Sequence, residues 1–217
     1  VEVTLYYTAQ GEGFQRQIVS HDERVEREKR RAAREKTGRE ALDKAKELLL
    51  KNFHFKEDHI HTRLKFRHSS KAMDILSEGE EGMYDAIVLG RRGLSRLEEL
   101  VDDSVSSEVM TMKKTIPVWI CRSISKKHDS VLLCIDDSMP SRRITDHVGY
   151  VLAGEKRHQV EIFHVWDPED SKEAEAYDLV RQARESLKQA GVEDSRISSQ
   201  VAKGSNYASM IIDHVQD

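Results

Sequence analysis

The stretch "YDAIVLGRRGLSRLEELVDDSVSSEVMTMKKTIPVWICR" (84–122) sets the fold class. Residues 84–90 form a nearly continuous apolar run, as strands buried on both faces of a parallel sheet do. Gly90 and Gly93 break that run, and Leu97, Leu100, Val101, Val105 and Val109 then recur at helical spacing over 95–114. "IPVWIC" (116–121) reads as another buried strand. Strand, glycine turn, helix and strand in succession make the repeating unit of a parallel α/β sheet.

The alternation continues on both sides. "VEVTLYYT" (1–8) and "HIHTRLKF" (59–66) read as strands, the second with Ile60, Leu64 and Phe66 on one side. "GEGF" (11–14) is a loop, and 69–82 a short helix capped by Ser69 or Ser70. Residues 21–52 are strongly charged helix formers whose apolar positions, Ala41, Leu42, Ala45, Leu48 and Leu49, thicken toward the end. The second half should pack; the first should project into solvent or be loosely ordered. Beyond 122 come strands at 130–136, 159–166 and 196–202, and helices at 141–154, 172–190 and 205–215, with Gly154 stopping the first helix. The expected fold is α/β with a doubly wound parallel sheet.

The chain also repeats itself. Val1-Glu2-Val3 matches Val160-Glu161-Ile162 at an offset of 159, while Ile60, Leu64, Met73 and Ile75 match Ile197, Val201, Met210 and Ile212 at an offset of 137. The difference places about 22 extra residues in the first copy, within the charged segment 9–45. The expected domains are 1–124, without an opening strand and helix, and 129–217, without its last two strands. A start at Val1 within a strand suggests residues upstream. Unpaired central edges should be filled by something further, such as exchange between chains or pairing of domains through sheet edges.

Bulk properties exclude several classes. A formal charge of -4 argues against non-specific nucleic-acid binding, which needs a basic surface. No stretch approaches the roughly 18 apolar residues of a membrane span. Cys121 and Cys134 sit in apolar stretches and read as buried free thiols of a reducing cytoplasm, with a disulfide or redox pair as the alternative.

The glycine turn is the first candidate site. Helix N-termini at the carboxyl ends of parallel strands point free N–H groups toward ligands, and glycines let the backbone approach a phosphate. Arg91, Arg92 and Arg96 could add charge-assisted bonds and Ser104 a hydroxyl bond. Two glycines after a strand fit a tight β–α connection equally well, and no GxxxxGK[ST] is present.

Residues 84–122 resemble the C-terminal half of a universal stress protein domain. That family's pattern is G-x2-G-x9-G-[ST], after a "DxIVxG" strand and before a "PVxxV" strand. Gly90, Gly93, nine residues from Leu94 to Asp102, then Asp103 and Ser104 carry the match. "SVLLCIDDSMPS" (130–141) resembles the family's opening strand and "VEIFHVW" (160–166) its second. The resemblance covers nearly everything outside the charged insertion. It implies two tandem copies of a five-stranded, Rossmann-like sheet related to the adenine nucleotide alpha hydrolases. It also implies an adenine nucleotide, ATP or AMP, as ligand, with Mg²⁺ permitted. Carried over residue by residue, Gly90, Arg91, Arg92, Gly93, Asp103, Ser104 and Val105 fall on the phosphate side, and Asp136 and Val165 on the adenosine side. One departure stands out: Asp103 replaces the motif's third glycine, and its carboxylate would crowd and repel phosphates.

Other residues carry two readings each. His54, Asp58, His59 and His61 could hold a metal but read better as surface histidines. Asp136–Asp137 reads as a Mg²⁺ pair or as a strand-end cap. Helix 21–46 is a solvated face or a partner-binding arm, and Trp119 and Trp166 read as core. No nucleophile–base pair is legible. The expected function is therefore non-enzymatic: a nucleotide-binding stress protein or, from another class, a nucleotide-independent adaptor.

Overall fold

The computed structural model describes residues 1–11, 20–67, 69–90, 105–121, 129–170 and 172–216. The chain divides into two compact units, Val1–Arg122 and Ser123–Asp217. Among the described residues all strand pairs are parallel, in sheets of two, two and three strands.

In the first unit, β1 (Val3–Ala9) pairs with β2 (Ile60–Phe66). Between them runs α1 (His21–Phe53), one continuous 33-residue helix rather than a loose segment followed by a packed one. Its start is fixed by a capping box: Glu23 N–H donates to Ser20 Oγ at 3.3 Å, and Ser20 N–H donates to Glu23 Oε2 at 2.8 Å. Only Gly38 and Leu42 are buried along α1. A Cβ on Gly38 would lie 2.6 Å from Leu64 and 2.8 Å from Tyr7, so the missing side chain lets the helix settle onto the sheet. Arg31 extends over the Phe66 ring at 4.5 Å, and Arg34 donates to the Gln10 carbonyl at 3.1 Å.

The second helix, α2 (Lys71–Glu81), starts at Ser70, whose hydroxyl accepts from Met73 N–H at 3.1 Å. Then β3 (Ile87–Gly90), α3 (Val105–Thr111) and β4 (Val118–Cys121) follow, β3 pairing with β4. Ala72, Leu76 and Val109 form the buried cluster here, with Ile87, Leu89, Val105, Met112 and Val118 against it. The expectation of strands buried on both faces fails at this sheet: Val88 is 62% exposed, and its register partner Trp119 is 40% exposed. Ile87 and Leu89 turn inward, so the sheet buries one face and an apolar sequence run overstates its burial.

In the second unit β5 (Ser130–Cys134), β6 (Gln159–Trp166) and β7 (Ile197–Lys203) lie in the order β5-β6-β7, with α4 (Met139–Ala153), α5 (Glu173–Gln189) and α6 (Tyr207–Gln216) between and after them. Val131, Val160 and Ile197 stand in one cross-strand row. They pack with Leu133, Ile162, Val180 and Leu187 in a core in which Val160, Ile162 and Leu187 are wholly buried.

Register corrects the repeat. Val3 pairs with Ile60 and Val160 with Ile197, so the first strands correspond at an offset of 157, not 159, and the extra length is 20 residues. A match of three β-branched and acidic residues slides easily by one pleat repeat; backbone pairing does not. Both cysteines are free but exposed, not buried, because each is the last residue of its strand.

Candidate functional site

At the carboxyl ends of β5 and β6 the second unit opens a cleft of about 1060 Å³. The chain leaves β5 at Cys134 and bends at Asp136 into α4, whose N-cap is Ser138. Asp136 Oδ1 accepts from both the Ser138 N–H, at 3.0 Å, and the Ser138 hydroxyl. Ser138 Oγ accepts from Ser141 N–H at 3.2 Å, and Ser141 Oγ accepts from Asp136 N–H at 2.9 Å. The four bonds lock strand end and helix start into one geometry. They also set the charge: the Ser138 bond holds the Asp136 carboxyl below its ordinary range, so it is an anion at neutral pH.

The second wall comes from the end of β6. His164 shares a hydrogen bond between Nδ1 and the Ile135 carbonyl at 2.8 Å, which ties β6 to the chain leaving β5. Val165 is buried, and Trp166 beside it is partly exposed with Lys203 Nζ 5.8 Å from its ring centroid. From α5 and α6 come Ala176, Leu179 and Ile211, which with Ile135 and Phe163 make the apolar floor. Phe163 is stacked on His214 at 4.3 Å, so its ring is fixed. The far end carries Asp170, whose carboxylate accepts from Tyr207 Oη at 3.0 Å; that bond raises the phenol above its usual range.

Asp136 and Val165 both line this cavity. Arg91, Arg92, Gly93, Asp103 and Ser104 lie outside the described residues. Gly90 is the exposed last residue of β3, and Val105 opens α3 and packs against the first unit's buried cluster. Asp137 does not stand ready beside Asp136 for a cation: it is paired with Arg142 at 2.9 Å, and Asp136 is the strand-end cap. Among the described residues no group of three or more His, Cys, Asp or Glu is arranged for a metal. His54 instead terminates α1 in the left-handed region at φ 56°, and His61 lies 3.6 Å from Glu2.

Neither tryptophan is core: Trp119 is exposed, and Trp166 lines the cleft. Sequence reasoning missed His164, Ser141 and Tyr207. His164 has one legible signal, a polar residue within the apolar second half of its strand, Ile162–Trp166; Tyr207 has none.

The universal stress protein family matches residues 12–122. No curated protein matches the chain. Among solved structures, a universal stress protein from Archaeoglobus fulgidus DSM 4304 is 18% identical with a TM-score of 0.61, covering 99% of this chain and 71% of its own. A universal stress protein in complex with cAMP is 24% identical with a TM-score of 0.32, covering 41% of this chain and 70% of its own. Among the described residues no helix is long and apolar enough to cross a membrane. With the family match extending over just more than half of its length, the chain belongs to the universal stress protein family.

Proposed function

We propose that this protein is a non-enzymatic stress-response protein that binds an adenine nucleotide, weakly, at the carboxyl edge of its sheet. One observation carries the reading: Asp136, just beyond β5, and Val165, in β6, line a single cleft with an apolar floor and polar rim. The floor suits a planar base, and an ionised carboxylate on a rigid cap is a fixed acceptor for an amino group. The glycine turn from Gly90 to Val105 is proposed separately, in the first unit, as a phosphate cradle weakened by Asp103. Completion of each unit to a five-stranded sheet, as one of two tandem copies, is part of the same reading. The order β1-α1-β2-α2, which parallels β6-α5-β7-α6, supports it. So do the sheet edges left unpaired among the described residues, through which copies could associate.

Titration calorimetry of the full chain with ATP and AMP tests the proposal. Binding should be measurable at millimolar ligand and fall at least tenfold in Asp136→Ala. Absence of heat at millimolar ligand would overturn it in favour of the adaptor reading. That second reading draws support from the exposed, charged first half of α1, where one face of a long helix lies uncovered.

A further inference from the structure

We propose that the cleft of the second unit selects the uncharged nucleoside over its phosphorylated forms. This rests on reading the cleft as an adenosine site, and adds which end of the ligand it admits. Among the described residues, six carboxylates line the cleft, from Asp136, Asp137, Asp167, Asp170, Glu175 and Asp178, and one guanidinium, that of Arg142; Arg181, outside the lining, pairs with Asp178. Arg142 is already spent on Asp137. The carboxylates are held where they stand: Asp167 accepts from Glu169 N–H at 3.0 Å, and Asp178 from Arg181 at 2.8 Å.

The one helix amino end beside Asp136 that could draw a phosphate is also taken. The amino end of a helix draws anions through its free N–H groups and its dipole. At α4 that end is occupied from within the chain. The Ser138 N–H is bonded to the Asp136 carboxylate, the Ser141 N–H to the Ser138 hydroxyl, and the Arg142 N–H to the Ser138 carbonyl. Pro140 removes one further donor from the first turn. A resident carboxylate thus stands in the seat of an oxyanion, beneath an apolar floor that still offers a base its surface. Phosphate adds charge of the same sign as the rim and meets a helix end whose Ser138, Ser141 and Arg142 N–H groups are already bonded.

The test is the affinity of the full chain for adenosine, AMP and ATP, in EDTA so that no divalent ion screens the phosphates, at 10 mM and 1 M salt. Adenosine should bind at least tenfold tighter than AMP at low salt, with ATP weaker again. The gap should close at high salt, where the Debye length falls from about 30 Å to about 3 Å. The isosteric pair Asp167→Asn and Asp170→Asn, checked for an unchanged thermal midpoint, should lower the adenosine-to-AMP affinity ratio at least threefold. AMP or ATP binding as tightly as adenosine at low salt, or an unmoved ratio in the double variant, would overturn the preference alone. No adenosine binding at millimolar concentration would overturn the adenosine reading together with the preference built on it.

Discussion

The two units set the same succession of strand, helix, strand and helix into different sheets, and their interiors differ accordingly. In the second unit β6 has a neighbour on each side, and Val160, Ile162 and Leu187 lose all contact with water. In the first unit, among the described residues, the strands stand as two separate pairs, and the fully buried apolar side chains are Ala72 and Val109. Composition is not the cause, since both units offer β-branched and aromatic strands. Contiguity is: a strand buries both faces and both edges only when neighbours and helices cover it.

A second contrast lies in the short turn before the second strand of each pair. In the first unit that turn is Glu57–His59, and His59 is partly exposed. In the second it is Asp194–Arg196, and Arg196 is 6% exposed. Its guanidinium donates to the carbonyls of Leu152, Glu155 and His158 and to the Glu155 carboxylate at 2.7–3.3 Å. It thereby clamps the loop between α4 and β6, bonding the Glu155 and His158 carbonyls and sharing that of Leu152 with backbone N–H groups. The first unit puts its buried ion elsewhere: Glu78, on α2, lies between Arg63 at 2.5 Å and Lys65 at 2.6 Å. Burial opposes the charge on Glu78, but Lys65 and Arg63 together hold its carboxyl below the ordinary range.

Four substitutions sharpen this comparison. Trp166 fluorescence in a Trp119→Phe background would follow the second unit, and Trp119 in a Trp166→Phe background the first. The largest effect belongs to the contiguous core: Leu187→Ala should cost about 2–5 kcal/mol in urea unfolding. Val88→Ala, on the exposed face of β3, should stay within about 0.5 kcal/mol. Equal losses at the two positions would break the account of contiguity. Next comes Arg196→Met, which keeps apolar bulk and removes the donors; a loss of about 1.5–3 kcal/mol is expected, with His59→Ala near zero. If the two changes cost the same, Arg196 is not the clamp described here.

The smallest effect is in the acid limb. Burial opposes ionisation of Glu155, yet N–H bonds from Arg157 and His158, and the His158 side chain, bring its carboxyl down to about 2. A carboxyl held lower in the folded than in the unfolded chain stabilises the fold above its unfolded value of 4.5. That contribution fades as pH drops from there toward about 2. Glu155→Gln should therefore flatten the loss of second-unit stability across that window and leave first-unit stability on its own slope. An unchanged second-unit slope would sink the assignment.

Periodicity and capping chemistry located most of the elements, whereas Asp136 and Val165 were grouped only by the family resemblance. Strand 159–166 was legible to the residue, because alternation and β-branching agree there, and the cap of α2 was legible as Ser69 or Ser70, the structure choosing Ser70. Asp136 was visible as an acid closing an apolar run, although β5 itself ends two residues earlier, at Cys134. Which faces of β3 and β4 meet water was not legible, nor was the exposure of Cys121 and Cys134. Those depend on what covers a strand, a non-local fact that no window of residues contains. The cap that turns Asp136 into a fixed anion needed Ser138 and Ser141 placed in space. The ring of carboxylates around the cleft was likewise assembled by folding, from segments up to 42 residues apart between Asp136 and Asp178. Sequence determined which residues could be buried, capped or charged; tertiary structure decided which were, because burial and electrostatic potential belong to neighbours in space.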